Sequence, residues 1–87
     1  MIAAKLVNNI WSTKKVDSLN GLKFMLAEEI GGKYLGRRMI VVDIIGAGIG
    51  DRVIVSTGSS ARKMLGGIDI PVDAVVVGII DDDCNFG

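Results

Sequence analysis

The 87-residue chain has no histidine, one cysteine (Cys84), one proline (Pro71) and four aromatic residues, and its ten Lys and Arg balance ten Asp and Glu. Each scarcity narrows function. Without histidine, the commonest metal ligand and the side chain that titrates near neutral pH are missing, so any acid–base chemistry would fall to carboxylates, lysine or one thiol. A single cysteine closes no internal disulfide. Zero formal net charge offers no field to draw in nucleic acid or an anionic membrane. The start, MIAAKLVNN, has no basic segment leading into a long apolar stretch, and no apolar run approaches the roughly 18 residues that cross a bilayer. These absences predict a cytoplasmic protein and weigh against an enzyme.

What is present is apolar. Hydrophobic residues make up 49% of the chain and mean hydropathy is +0.47, while a chain this short hides only roughly 60–65% of the surface its unfolded form exposes. One domain over residues 1–87 therefore has more apolar surface than a small monomer buries, which predicts an obligate oligomer. Charge is unevenly spread: residues 1–38 carry seven bases and three acids, residues 39–87 three bases and seven acids. That polarity of +4 against −4 fits either solvated faces or head-to-tail contact between unlike edges of neighbouring subunits.

Along the chain, IAAKLVNNIW reads as a strand followed by a polar turn, Ser12 to Asn20. LKFMLAEEI (22–30) suits either periodicity, and its length of nine between glycines 21, 31 and 32 favours a strand. MIVVDII (39–45) and RVIVSTG (52–58) are short and β-branched, as strands are. In GSSARKMLGG, Ser59 or Ser60 can cap a helix of at most two turns, with Ala61, Met64 and Leu65 on one face and Gly66 and Gly67 ending it. PVDAVVVGIID supplies a last strand, and its unbroken run from Ala74 to Ile80 implies burial on both faces. The fold class is mainly β: a small, closed or partly open five-stranded barrel with one short helix between the fourth and fifth strands.

The stretch DIIGAGIGDRV (43–53) looks most like a cofactor loop. A dinucleotide fingerprint places glycines at relative positions 1, 3 and 6 ahead of a helix whose amino end meets the pyrophosphate. Here Gly46, Gly48 and Gly50 fall at 1, 3 and 5, Asp51 takes the sixth place, and a β-branched segment follows. No GK[ST] is present either. The remaining readings are an ordinary hairpin turn, or a turn shaped for close subunit packing or for lining an axis.

Asp43 followed by GAGIGD (46–51), VIV, GSSAR (58–62) and PVDAVVVGIID (71–81), together with IWSTKK (10–15) matching a W-x-T-x-K segment, resembles the bacterial microcompartment vertex family of the EutN/CcmL type. The likeness covers nearly the whole chain in order. It departs at Asn8 and Asn9, where many relatives have a glycine, and in a brief link from Gly67 and Ile68 to Pro71. The resemblance implies a small barrel similar to an oligonucleotide-binding (OB-like) fold, assembling into a homopentamer that plugs the fivefold vertices of a polyhedral shell in the bacterial cytoplasm, among hexameric shell proteins. Shell proteins of this sort are structural and not enzymes themselves, so no catalytic residue, cofactor site or metal site is expected in this chain. Carried over, Gly46, Ala47, Gly48, Ile49 and Gly50 would lie near the fivefold axis or the subunit contacts. Gly58, Ser59, Ser60, Ala61 and Arg62 would start the small helix and its packing.

Other residues keep two readings. Arg62, placed near a helix start, opposes the dipole and calls for a partner among Asp43, Asp51 and Asp73, or is simply exposed. Lys14 and Lys15 either face neighbouring shell tiles or are solvated. Trp11 is core or subunit contact. Asp81, Asp82 and Asp83 are consecutive and do not form a cation cage, because oxygen ligands must converge from spaced positions. The competing function is a module that grips single-stranded nucleic acid, which requires stacking aromatics beside a basic groove. Only Trp11, Phe24, Tyr34 and Phe86 are available for stacking.

Overall fold

A computed structural model describes residues 1–66 and 70–85; Gly67, Ile68 and Phe86, which figure in the sequence reading, lie outside them. Five strands, β1 (Ile2–Ile10), β2 (Lys23–Glu29), β3 (Arg38–Asp43), β4 (Arg52–Thr57) and β5 (Ala74–Ile79), close into a barrel in the order β1-β2-β3-β5-β4. One short helix, α1 (Ser59–Met64), stands between β4 and β5, and a 3-10 turn spans Asp17–Leu19.

Period-two patterning builds the barrel. Ala4 and Leu6 of β1, Met25 and Ala27 of β2, Val41 of β3, Val53 and Val55 of β4, and Ala74 and Val76 of β5 point inward as one core cluster. Alternation of this kind is what a small side-chain-filled barrel requires. LKFMLAEEI is thus a strand, with Met25 and Ala27 inside and Phe24 and Leu26 partly covered on the outer face. The register of β1 against β2 shifts between Leu6 and Asn8, a bulge that lets one long strand pair with β4 at its start and β2 throughout.

Burial of the last strand on both faces holds for Ala74, Val75 and Val76. Val75 joins Val42, Ala61 and Val72 in a second cluster outside the barrel wall, with Phe24, Leu22, Leu65 and Ile70 packed against it. The helix covers this spot, since Ala61 is wholly buried there. Toward the end of β5 burial lessens: Ile79, across the ladder from the inward Val53, is exposed.

The hairpin expected of the two segments flanking the glycine loop is not formed. β5 inserts between β3 and β4, pairing parallel with β3 (Val42 with Val75) and antiparallel with β4 (Val55 with Val76). The loop from residue 44 to 51 therefore crosses one end of the barrel instead of reversing a ladder. Its far end lands on β1, where the Gly50 N–H donates to the Leu6 carbonyl at 2.8 Å and the Leu6 N–H to the Asp51 carbonyl at 2.9 Å.

Candidate assembly surface

The crossing loop is braced at both ends by carboxylates that sequence spacing alone did not connect to it. Asp43, at the end of β3, has a side chain only 1% exposed, and its Oδ2 lies 3.1 Å from Lys23 Nζ. The same ammonium donates to the Ala47 carbonyl at 2.7 Å, and Asp43 Oδ1 accepts the Ile45 N–H at 3.1 Å. Burial acts to raise the Asp43 pKa; the Ile45 and Ala47 backbone groups and Lys23 outweigh it and hold the carboxyl below its ordinary value. At the other end Asp51 Oδ2 accepts the Gly48 N–H at 2.8 Å, and the Asp51 N–H returns to the Gly48 carbonyl at 3.1 Å.

The five loop residues take different parts. Gly46 and Gly50 sit at φ +81° and +92°, a region L side chains avoid. Ala47 is 1% exposed and belongs to the protomer's own core, because the loop must plug the barrel end it crosses. Gly48 has an ordinary backbone, and a Cβ there would meet nothing closer than Asp51 Oδ2 at 4.0 Å. Ile49 is 58% exposed, and Ile44 and Ile45 beside it are exposed as well. A loop pinned by ion pair and hydrogen bonds that nonetheless presents three isoleucines to water has the character of a contact surface. Since the loop runs directly into β4, no helix terminus faces it, and Asp51 is already committed to backbone.

Elsewhere the structure rearranges several expected roles. The helix begins at Ser59, but Gly58 occupies the cap position at φ +71° and neither serine hydroxyl caps it. Gly58 serves because its N–H continues the ladder to the Asp73 carbonyl at 2.8 Å while the chain turns sharply. Arg62 falls in the last turn of this short helix, where a base suits the dipole, and among the described residues it forms no ion pair with Asp43, Asp51 or Asp73. Trp11 is 89% exposed, so the core reading is excluded. Lys15 donates to the Ser12 carbonyl at 2.9 Å within its own turn, whereas Lys14 is exposed.

Features that the sequence reading missed lie on the outer wall. Ile40 and Ile54 are exposed on β3 and β4. The signal was available: each alternates with inward residues in a strand whose outer positions would be polar in a solvated monomer. Lys23 was likewise passed over, although it stands directly across the β2–β3 ladder from Asp43. Among the described residues no three His, Cys, Asp or Glu side chains gather as a metal site.

A closed five-stranded barrel with a short helix after the fourth strand and a braced crossing loop that exposes isoleucines defines a class of small barrel. Within that class the chain belongs to the EutN/CcmL family: residues 1–81 match the family described as ethanolamine utilisation protein EutN/carboxysome. It is 41% identical to the carboxysome shell vertex protein CcmL of Thermosynechococcus vestitus over 93% of this chain and 84% of that one. It is 42% identical to the bacterial microcompartment shell vertex protein GrpN of Rhodospirillum rubrum, covering 93% of each. Among solved structures, the pentameric shell protein of the RMM microcompartment superposes with a TM-score of 0.85 at 32% identity, covering 100% of this chain and 98% of the other. The GrpN pentameric shell protein superposes at 0.80 with 40% identity, over 93% and 95%.

Proposed function

We propose that this chain is a structural vertex unit of a bacterial microcompartment shell, acting as a homopentamer that closes a fivefold corner between hexameric shell tiles in the bacterial cytoplasm. Its mechanism is geometric: a head-to-tail contact repeated around a closed ring introduces curvature that a flat hexagonal lattice lacks. The observation that carries the reading is the exposed isoleucine set on a rigid frame: Ile44, Ile45 and Ile49 on the braced loop, with Ile40 and Ile54 on the wall. So much apolar surface is unfavourable in water and is covered when subunits meet. The pentameric shell proteins of the same fold support five as the number. Gly46, Gly48, Ile49 and Gly50 then serve the approach of neighbouring copies, Ser59, Ser60 and Arg62 the helix that seals the wall, and Lys14, exposed in its turn, the rim that meets a neighbouring tile; Lys15 is turned back on Ser12.

A single-strand-binding role is disfavoured by placement. Trp11 follows the end of β1 and Tyr34 lies in the connection between β2 and β3, at the opposite end of the barrel, and Phe24 is partly buried. The Tyr34 ring is already covered by Arg37 at 4.7 Å and Lys33 at 5.6 Å, so among the described residues the exposed Trp11 has no second open ring beside it with which to form a run of stacking positions. Native mass spectrometry at micromolar concentration tests the proposal. A five-chain ion is the supporting result, and a stable monomer or dimer overturns it.

A further inference from the structure

A cleft of about 390 Å³ opens between the end of β1 and the start of β2, lined by Ile10, Trp11, Ser12, Lys15, Lys23 and Phe24 among others. Its charged lining residues are both basic. Trp11 stands at its edge almost fully exposed, an unusual state for the largest apolar side chain of a small protein. At the same end of the barrel, but on the β4–β5 side, the chain leaves β5 as the acidic stretch Asp81-Asp82-Asp83. Arg52 holds the base of that stretch by donating to the Asp81 and Asp82 carbonyls at 2.6 and 3.2 Å, and the Cys84 N–H turns back to the Asp81 carbonyl at 3.0 Å. The main chain is thereby fixed on its own barrel while the residues from Asp81 to Asn85 are exposed.

We infer that the cleft between β1 and β2 receives the acidic carboxyl-terminal stretch of the next copy of this chain, Asp82 and Asp83 meeting the remaining donors of the Lys15 and Lys23 ammoniums, which also hold the Ser12 and Ala47 carbonyls, while the stretch covers Trp11. The inference rests on the ring proposed above and specifies one of its contacts. Three features support it together. A head-to-tail contact needs two different faces of one chain, and β1–β2 and β4–β5 are different faces. Both features sit at the same end of the barrel, so neighbours related by a rotation about one axis can bring them to a common level. Their charges are opposite in sign, in keeping with the +4 and −4 halves of the sequence, and opposite charges across an interface fix its register.

The lone cysteine makes the contact directly measurable. In Ser12→Cys, mild oxidation should join the introduced thiol of one chain to Cys84 of the next, giving a ladder of covalent oligomers up to five on a non-reducing gel, since a disulfide forms only across Cα separations of about 4.4–6.8 Å. Adding Cys84→Ser should abolish the ladder. In parallel, Asp82→Lys with Asp83→Lys should shift the emission of the single tryptophan to the red and increase its quenching by acrylamide, and Lys15→Glu in that background should restore the original emission. A ladder with the emission change supports the contact. Oxidation without a ladder, a cross-link closed within one chain, or an unchanged emission overturns it. When native mass spectrometry of the same sample shows five chains and the cross-link fails, the docking is refuted and the ring stands; a monomer refutes both.

Discussion

Gly48→Val separates the needs of the protomer from those of the ring. Within one chain the substitution is cheap: Gly48 has an ordinary φ, and the nearest atom an added Cβ would meet is Asp51 Oδ2 at 4.0 Å. The Gly48 N–H to Asp51 bond uses backbone and survives. Restricting the unfolded chain gains about 0.4–1 kcal/mol, so protomer stability should stay within about 1 kcal/mol of wild type. In a ring the same side chain recurs at every interface, and overpacking typically costs about 1–3 kcal/mol at each. Spread over the four association steps that build a pentamer, this amounts to roughly 1.3–3.8 kcal/mol per step, or a rise of about tenfold to several hundredfold in the concentration needed for assembly. Native mass spectrometry across a dilution series reads the midpoint, and urea unfolding below the assembly concentration reads the protomer. Gly50→Ala is the contrasting variant, because φ +92° charges the protomer itself about 1–2 kcal/mol. A Gly48→Val ring that assembles at the wild-type concentration would refute the idea that the loop backbone approaches a neighbour.

Two further outcomes test the bracing of the loop. Lys23→Met removes the cation from a buried carboxylate and the donor from the Ala47 carbonyl, and should cost about 1–3 kcal/mol in urea unfolding, since Asp43 keeps its Ile45 bond but loses its charge partner; a change below about 0.5 kcal/mol would show the pair to be idle. Asp43 has its carboxyl held below the ordinary range, so between that folded value and the unfolded value of about 4 the unfolded chain binds the extra proton. Its stabilisation is therefore complete above about pH 4 and is lost as pH falls through the lower folded pKa. Asp43→Asn should flatten that part of the acid limb in denaturant midpoints taken between about pH 5 and 2, and an unchanged limb would contradict the assignment.

Local chemistry carried much of the architecture. β-Branched runs mark β3, β4 and β5 because their side chains fit a pleated surface whatever their partner. The glycines around 58–66 bracket α1 because only they take the positive φ at its two ends, Gly58 at +71° and Gly66 at +90°. Failure of the dinucleotide spacing was also local, and the strand that follows the loop agrees with it.

Tertiary structure decided what local rules cannot encode. That β5 wedges between β3 and β4 depends on a pairing about 30 residues away in sequence, formed because Val75 and Val76 fill both sides of the wall at once. This converts an apparent hairpin loop into a crossing plug, sends Ala47 inward and turns Ile49 outward. It also sets Lys23 beneath the loop and leaves Trp11 beside an open cleft. The sequence by itself determined the strands, the helix and an excess of apolar surface, since these follow from residue type and spacing. Which part of that surface stays uncovered depended on barrel closure, because closure alone assigns each side chain to the inside, the helix side or the outer wall.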